Sequence, residues 1–132
     1  MDIQKEFERR YNPKEECLGF DKKVKPLVSV CIATYQHVNY IEECIKGALS
    51  QKTNFPIEII IGEDASIDGT REIVFEYAKK YPDIIRVFTV DYNVGSKAND
   101  QRCIRMAWGK YMALCEGDDH CTGPDCKLMY HI

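Results

Sequence analysis

Tyr111-Met112-Ala113-Leu114-Cys115-Glu116-Gly117-Asp118-Asp119 is an apolar, strand-like run that ends in three carboxylates within four residues, and its reading decides the fold. Acids crowded at the tip of a buried strand repel one another and raise each other's pKa unless a cation or hydrogen-bond donors neutralise them. The pattern therefore points to a site that holds a divalent metal with phosphate oxygens, weighed against an ordinary acidic surface turn. Upstream, Ile57-Glu58-Ile59-Ile60-Ile61-Gly62 runs into Glu63-Asp64, so two hydrophobic strands deliver acids to what is expected to be one edge of one sheet.

Around these strands the chain alternates. Leu27-Val28-Ser29-Val30-Cys31-Ile32-Ala33 is nearly continuous and rich in β-branched residues, as expected of a central strand covered on both faces. Ile41, Cys44, Ile45, Ala48 and Leu49 recur at helical spacing with Glu42, Glu43 and Lys46 opposite, which predicts an amphipathic helix over Tyr40 to Gln51. A second helix is predicted from about Gly69 to Lys80, burying Ile73, Val74, Tyr77, Ala78 and Tyr81. Residues 84–90 read as a third strand, and a third helix follows the Asn93-Val94-Gly95-Ser96 turn and ends near Trp108-Gly109. Strand and helix in alternation imply an α/β, mostly parallel sheet with right-handed crossovers and helices on both faces. Such sheets bind ligands at the carboxyl ends of their strands.

The 132 residues make one domain or a piece of one, and a hydrophobic content of 45% is ample for a packed core. A net charge of −3 and a pI near 5.6 exclude a general electrostatic attraction for nucleic acid. The first 25 residues are charged and weakly periodic, and read as an N-terminal extension with a short helix; the domain proper is 26–132. Cys31, Cys44, Cys103 and Cys115, among an odd total of seven cysteines, occupy positions where small apolar residues pack, and read as reduced core thiols. The N-terminus has no apolar signal core and no apolar stretch is of membrane-spanning length, so the expected location is cytoplasmic, with peripheral attachment at a membrane surface left open. His120, Cys121, Cys126 and His131 are all zinc-ligating types, but their spacing matches none of the usual zinc patterns. Neither a Gly-x-Gly-x-x-Gly turn nor a Gly-x-x-x-x-Gly-Lys-Ser/Thr loop is present. Phosphate must be held another way, and adjacent aspartates suit Mg2+ or Mn2+.

Four strings fall in the order and spacing of family-two glycosyltransferases of the GT-A fold. They are Val28-Ser29-Val30-Cys31-Ile32-Ala33-Thr34-Tyr35-Gln36; Gly62-Glu63-Asp64-Ala65-Ser66-Ile67-Asp68-Gly69-Thr70; Asn93-Val94-Gly95; and Gly109-Lys110-Tyr111 leading to Glu116-Gly117-Asp118-Asp119. The chain resembles that family over about Pro26 to Asp119. The resemblance implies that Ala33, Thr34 and Tyr35 wall the nucleotide base, with Tyr35 stacking on it, and that Asp64 accepts a hydrogen bond from a pyrimidine imide N–H, beside Glu63. Asp68 is expected to serve loop and helix-start structure, and Asn93 and Gly95 to shape a turn. The arginine frequent near the start of the third helix is replaced within Asn99-Asp100-Gln101, leaving Lys97 or Arg102 to meet the diphosphate. Asp118 and Asp119 match the Asp-x-Asp-type motif, Asp118 contacting ribose or metal and Asp119 ligating Mn2+ or Mg2+.

The implied activity is inverting transfer of a sugar from a nucleotide sugar, UDP-linked, to a hydroxyl acceptor in cell-surface polysaccharide synthesis. The contrasting reading is a non-catalytic nucleotide-sugar-binding or interaction module. The tail after Asp119 departs from the family pattern, although Thr122 and Pro124 stay in place. The acceptor-binding half and the catalytic base are expected beyond Ile132. This chain alone is then expected to transfer no sugar and to self-associate through exposed apolar surface.

Overall fold

β2 (Val28–Thr34) is buried along its whole length because it lies at the centre of the sheet, between β3 (Ile57–Glu63) and β5 (Tyr111–Glu116), both parallel to it. The structure, a computed structural model, describes residues 3, 15–18, 25–118 and 129–131. Among these, β4 (Ile85–Val90) extends the parallel sheet beyond β3, β1 (Glu15–Leu18) pairs antiparallel with β4, and β6 (Met129–His131) pairs antiparallel with β5. The order is β1-β4-β3-β2-β5-β6. The expected mostly parallel α/β architecture is the observed one.

Alternation along the strands divides the core. Val28, Val30 and Ile32 join Ile59, Ile61, Ile85 and Val87 on the face covered by α1 (Ile41–Leu49) and α2 (Thr70–Lys80), which contribute Ile41, Cys44, Ile45, Ala48, Val74 and Ala78. On the opposite face Cys31, Ile60, Phe88 and Met112 pack with Cys103 of α3 (Ser96–Met106). Each fully buried isoleucine contributes about 1.5–3 kcal/mol of transfer free energy. The helix boundaries fall within a few residues of those predicted, and Lys46–Glu42 at 3.1 Å lies on the solvated side of α1.

Two expectations change. Glu15–Leu18, read as part of an extension outside the domain, is an edge strand in register with Val87–Val90. Parallel pairing with β3 leaves the other edge of β4 unpaired, and a four-residue main-chain partner satisfies it without needing a hydrophobic side-chain pattern. Cys31, Cys44 and Cys103 are buried thiols, as expected, but Cys115 is disulfide-bonded rather than a thiol. A half-cystine and a buried thiol present the same small apolar surface to a core, so burial patterning does not separate them. Burial and the neighbouring Cys103 push the Cys31 thiol far up, which keeps it protonated. No helix among the described residues is long and apolar enough to cross a membrane.

Candidate functional site

The carboxyl ends of β2, β3 and β5 lie side by side. Ala33 pairs with Gly62 on one side and Glu116 on the other, and the chain stays tied just past the strands, where Asp64 N–H donates to Thr34 O at 3.0 Å and Gly117 N–H to Ala33 O at 2.8 Å. The strand order reverses direction between β2 and β5, the place where open α/β sheets form a ligand crevice. A cleft of about 260 Å³ opens there, lined by Ala33 and Thr34 of β2, Tyr35 just after it, Asp64 after β3, Gly95 and Ser96 at the start of α3, and Glu116 of β5, among others. That volume is below the roughly 300–1,000 Å³ of pockets enclosing drug-sized ligands.

Asp64 is 1% exposed, and its carboxylate organises the loop before α3. Oδ1 accepts from Val94 N–H at 2.7 Å, while Oδ2 accepts from Gly95 N–H at 3.0 Å and from Asn93 Nδ2 at 2.9 Å. Gly95 has φ +96°, a conformation that disfavours any side chain, so the amide is presented to Asp64 only because the residue is glycine. Burial raises the Asp64 carboxyl above its ordinary range even though the Val94 and Gly95 amides act the other way.

Glu63 does not reach the cleft. It is fully buried behind it, with Oε1 accepting from Ser66 N–H at 2.7 Å and Oε2 from Ala65 N–H at 3.2 Å and Thr89 Oγ1 at 3.1 Å. The nucleotide contact expected of Glu63 is replaced by a structural role: its carboxylate caps the turn in which Ala65 takes φ +62°. An aspartate, one methylene shorter, would have to span the same donors with less reach.

Asp68 holds the start of α2. Its Oδ1 accepts from the Thr70 amide at 3.0 Å and hydroxyl at 2.6 Å, and its Oδ2 from Val38 N–H at 3.2 Å. Burial alone would raise this carboxyl, but the Thr70 and Val38 donors together hold it below the usual range. Arg102 is buried under β3, donating to Glu63 O at 3.2 Å and to Asn99 Oδ1, and Asn99 Nδ2 donates to Gly62 O at 2.8 Å. Arg102 therefore braces the strand end from behind. Lys97 is exposed in the first turn of α3, outside the lining of the cleft.

Asp118 stands half-exposed beside the cleft, with Oδ2 4.0 Å from His37 Nε2. Asp119 and the His120, Cys121 and Cys126 group lie outside the described residues. Sequence reading missed His37, Ser96 and Asn99 as lining residues. The available signal for His37 was its place three residues after Thr34, where a turn back from the strand end returns a side chain to that end. Gly117 is fixed by close approach: a Cβ there would lie 2.6 Å from His37 Nδ1 and 2.8 Å from Thr34 Cβ, and would also strike the Thr34 hydroxyl. Gly117→Ala is expected to cost about 1–3 kcal/mol through this overpacking, read as a lower urea midpoint at unchanged slope.

A sheet of this order, with a polar cleft at its switch point and an acidic strand end beside it, defines a domain of the GT-A class. The chain belongs to the family described as glycosyl transferase family 2, whose model matches residues 29–131. It is 42% identical over 97 residues to an uncharacterized protein of Mycobacterium tuberculosis, covering 74% of this chain and 28% of that protein. It is 30% identical over 117 residues to the chondroitin synthase of Escherichia coli, covering 89% of this chain and 17% of that enzyme. Among solved structures it resembles Staphylococcus aureus TarS residues 1–349 in complex with UDP-GlcNAc, with 26% identity, a TM-score of 0.59, and coverage of 70% of this chain and 27% of that one. The chain thus spans less than a third of each of these relatives.

Proposed function

We propose that this chain binds the donor of a sugar transfer, a uridine diphosphate sugar, together with Mn2+ or Mg2+. The sugar then passes with inversion to a hydroxyl acceptor in polysaccharide biosynthesis. The observation that carries the reading is the cleft where the ends of β2, β3 and β5 meet the start of α3. TarS, solved with UDP-GlcNAc, and the E. coli relative, a chondroitin synthase, support the donor class and a polysaccharide acceptor.

Tyr35, 44% exposed at the mouth, offers a ring face for the base. Asp64 holds the Asn93–Gly95 loop and keeps lone-pair capacity for one more donor, which suits an imide N–H. The first turn of α3 contains no acid, and its N-terminal dipole favours the negative diphosphate, with Lys97 exposed on that turn. Among the described residues no group of three or more His, Cys, Asp or Glu stands ready to hold a metal by itself. Mg2+ in such sites is held through one or two carboxylates, with water and phosphate oxygens as its other ligands. Asp118 would hold it with Asp119, and when bound it would stabilise charge on the leaving diphosphate.

Calorimetric titration with UDP, with and without Mn2+, tests the reading. Binding strengthened by Mn2+ is expected, and Asp119→Asn should remove most of the strengthening at little cost in stability, because relieving acid crowding offsets a lost ligand. No UDP binding under either condition would overturn the donor assignment. Undiminished Mn2+ dependence in Asp119→Asn would move the metal elsewhere.

A further inference from the structure

Building on the donor-site reading above, we propose that His37 is a positioning residue that fixes the carboxylate of Asp118 for cation binding. His37 is held at one ring nitrogen and along its main chain. Its Nδ1 lies 3.0 Å from the hydroxyl of Thr34, a side chain only 1% exposed. Its main-chain N–H donates to Thr70 Oγ1 at 3.0 Å, and its carbonyl accepts the Tyr40 and Ile41 amides at 2.9 and 2.8 Å, at the entry to α1. The ring is thus tied to the strand end and the main chain to the entry of the following helix, and Nε2 lies 4.0 Å from Asp118 Oδ2.

The segment that presents Asp118 is fitted to the same pair. Gly117 donates to Ala33 O at 2.8 Å and passes so close to the Thr34–His37 contact that no Cβ is accommodated. Its main chain is therefore placed, while the Asp118 side chain, 51% exposed, retains rotational freedom. A ligating carboxylate works best with its lone pairs already aimed, and a fixed N–H donor supplies that aim. At 4.0 Å Oδ2 lies outside hydrogen-bond range of Nε2, and in this proposal the half-exposed carboxylate closes the gap when the cation binds. A hydrogen on Nε2 facing the carboxylate leaves Nδ1 to accept from the Thr34 hydroxyl, so the neutral ring suffices. Outer donors of this kind are typically worth about 10–100-fold in metal affinity.

The test is UDP calorimetry across a range of Mn2+ concentrations, on the full chain, with folding checked by circular dichroism. His37→Ala is expected to raise the Mn2+ concentration for half-maximal enhancement about tenfold, a larger factor than its effect on UDP affinity without Mn2+, which it also touches as a residue lining the cleft. His37→Gln keeps an N–H donor at similar reach and should restore most of the loss; His37→Met, of similar length without a donor, should not. That pair decides the matter even if the alanine variant fails to fold. Wild-type UDP binding combined with an unshifted Mn2+ midpoint in His37→Ala and His37→Met overturns the inference and leaves the donor reading intact. Equal losses with and without Mn2+ also overturn it, because they place His37 in nucleotide contact or in general support of the fold. A wild-type chain that binds no UDP overturns the donor reading and this inference together.

Discussion

Replacing Arg86 by leucine is expected to destabilise the fold by about 3–5 kcal/mol, because it leaves the Glu58 carboxylate buried without its counter-charge. Both side chains are almost fully buried, at 3% and 2% exposure, and the pair forms one hub beneath α3. Glu58 Oε1 accepts from Arg86 Nε at 3.1 Å and from its terminal nitrogen at 2.6 Å, while Oε2 accepts from Ser29 Oγ at 2.6 Å and from Trp108 N–H at 2.7 Å. Arg86 also donates to Met106 O, and its guanidinium lies 3.6 Å from the centre of the Trp108 ring. Gly109 N–H reaches Ser29 Oγ at 2.8 Å. The hub therefore joins β2, β3 and β4 to the connection between α3 and β5, at the opposite end of the strands from the cleft. Thermal unfolding should show a fall on the order of 10–20 °C. The double variant Glu58→Leu, Arg86→Leu should recover part of this, but not all, since Ser29 and Trp108 would still lack their acceptor. An Arg86→Leu chain that melts within a few degrees of wild type would show that water reaches Glu58 and the hub contributes little.

Asp64→Ala is expected to weaken UDP binding about 10–100-fold, corresponding to the roughly 1.5–3 kcal/mol of a lost charge-assisted hydrogen bond. The expected effect of Asp68→Ala is about 1 kcal/mol of stability with a much smaller change in affinity. The contrast rests on where each carboxylate lies. Asp64 lines the cleft and holds the Val94 and Gly95 amides, whereas Asp68 joins the start of α2 to Val38. Titration of two folded variants decides it, and equal losses would remove Asp64 from base recognition. The two acids also act oppositely with pH. Asp64 is raised in the folded state, so its contribution to stability is present below the unfolded carboxyl pKa and is lost as pH rises through the folded one. Asp68 is lowered, so its contribution is present above the unfolded pKa and is lost as pH falls through the folded one.

Strand and helix placement was legible because the apolar period of each segment is local information. Val28–Thr34 could only be a strand buried on both faces, and Ile41, Cys44, Ile45 and Ala48 could only be one stripe of a helix. The delivery of Asp64 and Glu116 to one sheet edge was also legible, since parallel crossovers place successive strand ends together. The roles of neighbouring acids were not. Glu63 and Asp64 are consecutive, yet strand alternation and the turn at Ala65 send one carboxylate behind the cleft and the other into its wall.

The sequence by itself thus determined the α/β class, the order of elements and the family, because periodicity and motif spacing survive without coordinates. Only the tertiary structure decided that Glu15–Leu18 closes the β4 edge, that Arg102 braces β3 rather than facing the cleft, and that His37 faces Asp118. Each depends on a partner far away in the chain or on the direction of one side chain, and burial of a polar group is settled by whether such a partner exists rather than by its own residue type.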